Sequence, residues 1–322
     1  MYSLELTFQS TCRTPLLKTS NLITPIIIGK KSASNSSGLH VISDRNLLDK
    51  LEKILALHLD KIIIFGVPEL HDSSGSQAWN NKGIVQNTLR IIRESFGNKI
   101  QIIADVCVCQ YNLSGHCGVV NQNNYVDNDK TLKLMSKISL SYAESGADMV
   151  APSSMMDGLV MSIRNKLNDN GFRDTKIMSF SKQFSGLYSP FRLTTFKKFS
   201  KMDKSTYQIG YSNSREILRK IEMDLHEGAD IITIKPSFGN IDLISRIFDM
   251  AKCKIAVQQV SGEYAMVKAA SRNRLIDENE WIIGYFASMI RAGVDFIISY
   301  GAQEIAALLS AFTNDYNRSS VL

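Results

Sequence analysis

The sequence predicts a single (β/α)8 barrel of the TIM type with a short N-terminal arm, and three observations support this fold. Eight short apolar runs recur along the 322 residues. Segments with helical spacing separate these runs. Polar and ionisable residues follow most of the runs, and barrel active sites lie at the carboxyl ends of the strands. We expect the arm to span residues 1–20 and the barrel to span residues 21–322.

Each of the eight apolar runs reads as a strand that is buried on both faces. The runs are nearly continuous in Val, Ile and Leu, whereas a strand with one solvated face would alternate with polar residues. They are LITPIIIG from residue 22, KIIIFGV from 61, IQIIADV from 100, ADMVAPS from 147, KIMSFS from 176, ADIITIK from 229, KIAVQQVS from 254 and VDFIISY from 294.

The segments between the strands carry helical spacing. Clear examples begin at residues 46, 130, 214 and 278, and the last three end in Gly shortly before the next apolar run. Glycine is the common residue just past a helix end. Eight strands alternating with helices over about 300 residues fit one barrel better than two doubly wound domains.

Composition excludes several classes of protein. The chain is 44% hydrophobic and 21% charged, which is typical of a globular protein, and its net charge of +6 is spread along the sequence. We therefore expect no nucleic-acid partner. Apolar runs fall short of the roughly 20 residues of a membrane span and no signal sequence is evident, so we expect no membrane contact and a cytoplasmic location.

Two lysines follow strand signals, and this is an unusual position. Lys182 and Lys235 close the fifth and sixth apolar runs, and Lys is almost never buried without a partner or a task. Two ammonium groups about 6 Å apart would repel by about 2.8 kcal/mol, which lowers a lysine pKa by about two units. Such an amine forms Schiff bases with ketones and aldehydes. The alternative is that Lys182 only pairs with a carboxylate.

Three of the five cysteines cluster after the third strand signal. Cys107 and Cys109 are separated by one residue, so strand alternation would send both to one face. Cys117 follows seven residues later in a loop whose glycines allow the chain to turn back. An odd number of cysteines argues against a disulfide framework and favours thiols for metal binding or catalysis.

Three thiolates suit Zn²⁺, and the fourth ligand decides what the metal does. An open fourth position is typical of a catalytic zinc, whereas four protein ligands make a structural site. His116, next to Cys117, is a candidate fourth ligand. The remaining alternative is that all three cysteines are buried thiols without a metal.

Several long motifs resemble one enzyme family, porphobilinogen synthase, also called 5-aminolaevulinate dehydratase. The resemblance covers about residues 60–310 and the motifs occur in the family's order. They are GADMVAPSSMMDG (146–158), YSPFR (188–192), TYQ (206–208), SREILRKIEMDLHEGADIITIKP (214–236) and QVSGEYAMVKAA (259–270).

The resemblance implies a homo-oligomeric barrel enzyme, octameric in the family, that condenses two molecules of 5-aminolaevulinate to porphobilinogen. Two waters are lost, and the product leads to haem and related tetrapyrroles. Lys235 would form a Schiff base with the first substrate, whose carboxylate Ser261 and Tyr300 would hold. Lys182 would form the second Schiff base.

The resemblance assigns further residues to the second substrate and to the metal. Arg192 and Gln208 would bind the second carboxylate from a lid at about residues 186–208, and Asp105 and Ser153 would line the reacting centre. The three cysteines match the family's zinc pattern, which leaves His116 as a neighbour. Some members of the family bind an additional Mg²⁺ between subunits, and this sequence does not show whether the protein does so.

The chain departs from the family pattern at its lid. The residues before TYQ are Met202, Asp203 and Lys204. Lys204 lies in the substrate-binding region, at a position where the family usually has Arg. Lysine keeps the charge and loses the planar fork, so we expect looser carboxylate binding. The lid centre LTTFKKFSK is also atypical.

Other departures lie around the pocket and in the arm. Leu159, Ser154 and Gln258 replace the family's usual Arg, Asp and Tyr, and the arm is short and poor in arginine. Octamer assembly is therefore the weakest implication of the resemblance.

Two other functions stay open at this point. A class I aldolase would need one essential lysine and no zinc. A catalytically impaired member of the family would act as a binding or assembly protein, an interpretation that the lid and Lys204 changes favour.

Overall fold

The computed structural model describes residues 17–34, 39–182, 185–195 and 203–319. For residues 33, 34, 182 and 312–319 it describes the backbone but not the side chains. Most of the predicted arm, residues 1–16, lies outside these ranges, and so do residues 196–202, which include residues 196–201 of the lid centre. The division into arm and barrel domain thus stays a prediction.

Eight parallel strands close into a barrel, which confirms the predicted fold class. Each strand pairs with the next along the chain, and the eighth pairs with the first. All eight predicted strands are present: β1 (Leu22–Gly29), β2 (Lys61–Val67), β3 (Gln101–Val106), β4 (Met149–Pro152), β5 (Lys176–Lys182), β6 (Ile231–Lys235), β7 (Lys254–Gln258) and β8 (Phe296–Ile298).

The apolar runs lack alternation because both faces of each strand are buried. In β2, Ile63 and Phe65 belong to the core inside the barrel. Ile62 and Ile64 belong to the larger core between the strands and the helices. Successive side chains point to opposite faces of a strand, so a strand between two apolar layers needs an apolar residue at every position.

Helices surround the barrel. They are α1 (Asp44–Ala56), α2 (Ile84–Phe96), α3 (Asn128–Glu144), α4 (Leu159–Asp169), α5 (Ser189–Thr195), α6 (Ser214–His226), α7 (Ile241–Met250), α8 (Ser261–Arg272), α9 (Glu278–Arg291) and α10 (Ala302–Ser319). The glycines after α3, α6 and α9 have φ values of 103°, 99° and 106°, the left-handed conformation of a glycine C-cap. None of the described helices combines the length and the apolar character needed to cross a membrane.

Two long connections leave the carboxyl end of the barrel. One joins β3 to α3 and contains a short antiparallel pair, Val119–Val120 with Val126–Asp127. The other joins β5 to α6 and contains the 3-10 turn Gly186–Tyr188 followed by α5. Function in this fold lies at that end, and long loops there build and cover a site.

Candidate active site

A cavity of about 50 Å³ lies at the carboxyl ends of the strands, and nine of the twelve predicted site residues line it. Those nine are Asp105, Cys107, Cys109, Ser153, Arg192, Lys204, Lys235, Ser261 and Tyr300. Of the other three, Cys117 belongs to the thiol cluster beside the cavity, Gln208 does not appear in the lining, and the side chain of Lys182 is outside the described part of the chain.

Lys235 ends β6 and is 6% exposed. It lies two positions beyond Thr233 and four beyond Ile231, a residue of the inner core, so alternation directs it into the barrel mouth. Its Nζ lies 3.8 Å from the centroid of the Phe180 ring on β5. The backbone of Lys182 pairs with that of Lys235 in register, which confirms that the two lysines end neighbouring strands side by side.

Asp105 and Ser153 face each other across the ends of β3 and β4. The Ser153 hydroxyl donates to Asp105 Oδ1 over 3.0 Å, and both residues are buried. Burial, and secondarily the charge of Asp105, raises the pKa of Tyr300 above its ordinary value. Tyr300 therefore stays a neutral phenol near Asp105 and is able to donate a hydrogen bond to a ligand.

Ser261 does not end the seventh strand as the sequence suggested. β7 ends at Gln258, and Ser261 is the first residue of α8. Its hydroxyl accepts from the Phe191 backbone N–H over 3.0 Å and donates to the Leu187 carbonyl over 3.4 Å. The start of α8 thus holds the segment that covers the cavity. A Cβ on Gly262 would come within 2.4 Å of that same carbonyl, so the contact requires glycine.

The two residues predicted to reach over the second substrate differ in placement. Arg192 on α5 lines the cavity and its guanidinium lies 5.5 Å from the centroid of the Tyr188 ring. Gln208 is 3% exposed, and neither polar atom of its side-chain amide has a hydrogen-bond partner among the described residues. A buried amide without partners costs free energy, so a ligand that hydrogen-bonds to this side chain would be favoured.

Three buried thiols form a cluster beside the cavity. The sulfur atoms of Cys107, Cys109 and Cys117 lie within 4.8 Å of one another, and all three residues are at most 7% exposed. Ligand sulfurs 2.3 Å from a tetrahedral Zn²⁺ lie about 3.8 Å apart. The cluster therefore fits a thiolate-bound metal ion with small side-chain adjustments.

Strand alternation is not what brings the first two thiols together, and that part of the sequence argument is wrong. β3 ends at Val106, so Cys107 and Cys109 follow it in a turn. The backbone N–H groups of Tyr111 and Asn112 donate to the Val108 carbonyl at 2.9 and 3.0 Å. This turn places the two sulfurs 3.2 Å apart.

Asn112 stabilises the loop that returns Cys117 to the other two thiols. This role of Asn112 was not predicted from the sequence. Its side-chain oxygen accepts from the Gly115 N–H over 2.6 Å, and its amide donates to the His116 carbonyl over 2.9 Å. Gly115 has a φ of 67°, which a glycine adopts without strain. An Asn three residues before a Gly is a recognisable turn signal.

The thiols resist ionisation without a cation. Hydrogen bonding to Cys109 and Cys117, together with burial, raises the pKa of Cys107 well above its ordinary value. The hydrogen bond from Cys107 lowers the pKa of Cys109, but the Cys117 contact and burial outweigh it and bring the value to about 11. A divalent cation would remove this penalty, because metal binding displaces the thiol protons.

His116 is not one of the clustered ligand atoms. Its Nδ1 lies 3.2 Å from the hydroxyl of Tyr207, which also accepts from the Cys117 backbone N–H over 3.2 Å. Burial, and secondarily Lys204, lowers the pKa of the imidazole, so it stays neutral at pH 7. The arrangement agrees with the expectation that His116 is a neighbour of the metal site.

Lys204 contacts the thiols. Its Nζ donates to Cys117 Sγ over 3.4 Å, and the residue is 2% exposed while it also lines the cavity. The sequence predicted a carboxylate-binding role for this residue, and the structure adds the contact with a candidate metal ligand.

Aromatic and apolar side chains also line the cavity. Within the motif YSPFR, the sequence indicated a functional role only for Arg192. Phe65, Tyr188, Phe191 and Val260 line the cavity together with Gln110. Tyr188 and Phe191 precede Arg192 in YSPFR, but an aromatic residue is more often part of the core, so no signal separated them from packing residues.

The other departures from the family pattern have different surroundings. Leu159 is 3% exposed and packs in the outer core. Ser154 is fully buried, and its hydroxyl has no hydrogen-bond partner among the described residues. Gln258 lines the cavity.

Comparison with known proteins decides the family. The family model described as Delta-aminolevulinic acid dehydratase matches residues 4–308. The chain belongs to the Delta-aminolevulinic acid dehydratase family. This confirms the resemblance seen in the motifs, and it sets aside the aldolase alternative, which requires a different family.

Individual relatives of the dehydratase family match over most of the chain. The Delta-aminolevulinic acid dehydratase of Archaeoglobus fulgidus is 42% identical over 299 residues, covering 91% of this chain and 92% of the relative. That of Bacillus subtilis is 37% identical over 300 residues, with the same coverage of both chains. The crystal structure of the Toxoplasma gondii enzyme in complex with porphobilinogen superimposes with a TM-score of 0.87 at 34% identity, covering 91% of this chain and 85% of that one.

Proposed function

We propose that this protein is a porphobilinogen synthase, a lyase that condenses two molecules of 5-aminolaevulinate to one porphobilinogen with the release of two waters. One observation carries the proposal within this family: the in-register pairing of Lys235 with Lys182 at the mouth of the barrel. Each substrate is a ketone, so a site that joins two of them needs two amines that capture carbonyls.

Lys235 is the proposed nucleophile toward the first substrate. Its neutral amine attacks the ketone carbon, and loss of water from the adduct leaves a Schiff base. Lys182 is assigned the same role toward the second substrate, because its backbone lies directly beside that of Lys235. A protonated Schiff base acidifies the adjacent C–H bond, so a carbon–carbon bond forms from the enamine. The enamine carbon attacks the Schiff-base carbon of the other substrate, and elimination breaks the bond from that carbon to its lysine. Attack of a substrate amine on the remaining Schiff base closes the ring and expels the other lysine, so the only waters lost are the two released when the Schiff bases formed.

Asp105 is the proposed acceptor for protons that leave the substrates. It lines the cavity, and the Ser153 hydroxyl fixes one of its oxygens at 3.0 Å. A general base must lie within hydrogen-bond reach of the proton it removes, and this carboxylate faces the same space as the end of β6.

The two substrate carboxylates require separate receptors. We assign the first to Ser261 and Tyr300, which line the cavity together with Lys235. We assign the second to Arg192, Lys204 and Gln208. Arg192 and Lys204 line the cavity, and the unpartnered amide of Gln208 lies four residues from Lys204.

Cys107, Cys109 and Cys117 would hold one Zn²⁺, with the fourth ligand position left for water or substrate. A zinc ion bound there would act as a Lewis acid that polarises a substrate oxygen or amine. The three sulfurs lie close enough for one ion, and His116 is turned to Tyr207.

We infer that the segment covering the cavity opens to admit the substrates. Its residues Tyr188, Phe191 and Arg192 line the cavity. Residues 186–195 lie over it through the Ser261 contacts. Opening of this segment admits the substrates, and its closure excludes water from the imines.

A second candidate function has one observation in its favour. Lys204 contacts Cys117 rather than only the substrate space, so a member in which this lysine blocks the metal site would bind 5-aminolaevulinate without turning it over. The experiment below separates the two functions.

The test combines product formation with trapping of the imines. Zinc-loaded protein is incubated with 5-aminolaevulinate, porphobilinogen is measured as the pyrrole, and borohydride-reduced adducts are located by mass spectrometry. Product together with adducts at Lys235 and Lys182 supports the synthase. Adducts without product support the binding protein, and absence of both refutes the proposal.

A matched lysine variant makes the test specific. Lys235→Met removes the proposed nucleophile, whereas Lys254→Met removes an exposed lysine at the opposite end of the neighbouring strand. We expect Lys235→Met to lose at least about a thousandfold in kcat and Lys254→Met to retain the wild-type value.

The assembly and the location are proposed from the family resemblance. We expect a homo-octamer in the cytoplasm that binds neither nucleic acid nor membranes. A molecular-mass measurement by light scattering tests the assembly, and a mass below that of eight chains would contradict it.

A further inference from the structure

A buried carboxylate links the lysine-bearing strand to the helix that begins at Ser261. Glu263 is the third residue of α8 and is 2% exposed. It lies outside the cavity lining, and the proposed reaction does not use it. No ion pair of Glu263 occurs within the described ranges.

The Glu263 carboxylate accepts hydrogen bonds from two separate loops. The Val260 N–H, which precedes α8, donates to Oε2 over 2.6 Å. From the loop after β6, the Phe238 N–H donates to Oε1. The Ser237 N–H donates to Oε2 over 3.3 Å, and its hydroxyl lies 3.2 Å from Oε1. One side chain thus joins the two loops.

Both loops carry groups of the proposed active site. Ser237 is two residues beyond Lys235, and Ser261 is two residues before Glu263. The Ser237 hydroxyl also accepts from the Tyr285 hydroxyl over 2.9 Å, which anchors the link to α9. The position of Lys235 relative to Ser261 therefore depends on this carboxylate.

Burial of a carboxylate at this position costs free energy. Burial raises the pKa of Glu263 to about 7 despite four stabilising hydrogen-bond donors. Buried acids without a cation are uncommon because desolvation disfavours the charge, and perturbed groups cluster at functional sites. A side chain that served packing alone would meet no such cost.

We propose that Glu263 is a positioning residue of the active site. Its carboxylate fixes the end of the strand that carries Lys235 against the start of the helix that carries Ser261, so that Lys235 and Ser261 contact the same substrate molecule. The inference deepens the proposed function and rests on it. Glutamine at this position replaces one accepting oxygen by an N–H₂ donor that faces backbone donors, so the two loops separate while the helix and the strand remain.

The test measures Schiff-base formation at each lysine of the zinc-loaded, full-length protein. 5-Aminolaevulinate and borohydride are added, and the labelled fractions of Lys235 and Lys182 are followed over time. Glu263→Gln should slow labelling of Lys235 by about tenfold or more, because displacements near 1 Å at a reacting group have effects of this order. Labelling of Lys182 should stay within about twofold of wild type, since that strand is not held by Glu263.

A matched control distinguishes this effect from the loss of any helix-start glutamate. Glu280 is likewise the third residue of its helix, α9, but is exposed, so Glu280→Gln should label both lysines at wild-type rates. Equal labelling of Lys235 in Glu263→Gln and wild type overturns the inference, and so does equal slowing at both lysines, which would indicate a general structural defect.

The remaining outcomes are also decisive. If wild type labels neither lysine, the proposed function fails before the role of Glu263 is reached. If Glu263→Gln does not fold, Ser237→Ala replaces it, because this change removes the hydroxyl between Glu263 and Tyr285 and keeps every backbone donor. Slowing of Lys235 labelling by about threefold or more in Ser237→Ala supports the link, and an unchanged rate overturns it.

Discussion

The two sides of the cavity are built differently. On the side of β6 and α8, Lys235 and Ser261 are held by backbone hydrogen bonds, a buried carboxylate and close packing at Gly262. On the side of the β3 loop and the lid, the groups are three buried thiols, a lysine against a sulfur and an amide that has no hydrogen-bond partner among the described residues. The groups of the first side are hydrogen-bonded and packed within the protein, whereas the second side has a thiol cluster that could hold a metal ion and an amide whose polar atoms have no partner among the described residues.

The difference suggests a division of labour. Under the proposed function, once the covering segment has opened, the half around Lys235 and Ser261 would bind the first substrate with its groups already in place. The other half would gain hydrogen bonds and charge balance from a bound metal ion and the second substrate.

The largest expected effect is on the thiol side. Replacing Cys107, Cys109 and Cys117 together with Ala should lower turnover by at least about a thousandfold and remove bound zinc, while the barrel stays folded, because the metal supplies transition-state stabilisation. Metal analysis, porphobilinogen formation and thermal unfolding measure the three properties. Cys253→Ala, at the described cysteine outside the cluster, should behave as wild type. Unfolding of the triple variant would make the metal structural.

The pH dependence of stability tests the buried carboxylate on the other side. The pKa of Glu263 is raised from 4.5 to about 7 in the folded protein. Below pH 4.5 both states are protonated and the group contributes nothing. As the pH rises towards 7 the unfolded chain loses its proton first, so the free energy of unfolding falls by about 3 kcal/mol.

Glu263→Gln removes this pH-dependent loss. Denaturant unfolding of wild type and variant between pH 4.5 and 8 should show wild type losing stability relative to the variant as the pH rises. Glu280→Gln, at an exposed glutamate, should show no such trend. A constant difference between wild type and Glu263→Gln would contradict the raised pKa.

Lys204 should affect metal retention. Its ammonium lies 3.4 Å from Cys117 Sγ, and three thiolates on Zn²⁺ carry a net charge of about −1. Lys204→Met should therefore weaken zinc binding by about tenfold, measured by competition with a chelator. Lys166→Met, which removes a lysine of α4 remote from the cavity, is the control. Unchanged zinc affinity would show that the lysine does not stabilise the metal centre.

The smallest expected effect tests the packing of the covering segment. A Cβ on Gly262 would approach the Leu187 carbonyl to 2.4 Å, so Gly262→Ala should displace the segment and raise KM by about fivefold. In Gly284→Ala the added methyl meets no atom within 4 Å. That control should leave KM unchanged and slightly stabilise α9. Equal KM values in both variants would indicate that the segment is not held at α8.

Sequence predicted the fold and most of the site because strong periodic signals determine them. The eight strands follow from apolar runs buried on both faces, and Lys235 follows from its place at the end of one run. Asp105, Ser153 and Tyr300 line the cavity with Lys235 because they lie at or just beyond strand ends, and parallel strands end at one rim. Arg192 and Lys204 were predicted only through the family resemblance.

The parts that sequence missed depend on contacts between distant loops. Alternation did not explain the thiol cluster, because Cys107 and Cys109 lie in a turn that Asn112 and Gly115 stabilise. Glu263 resembled an ordinary glutamate in the first turn of a helix. Only its burial and its contacts with Ser237 and Phe238, 26 and 25 residues away, distinguish it.

Schiff-base trapping in zinc-free protein tests the central claim most directly, because it separates the two sides of the cavity. Protein treated with a chelator is incubated with 5-aminolaevulinate, reduced with borohydride and analysed by peptide mass spectrometry, before and after zinc is restored. If the Lys235 side of the cavity is preformed, Lys235 is fully labelled without zinc. Porphobilinogen forms only after zinc is restored. Failure of Lys235 to react without zinc would contradict the account, since both sides would then depend on the metal.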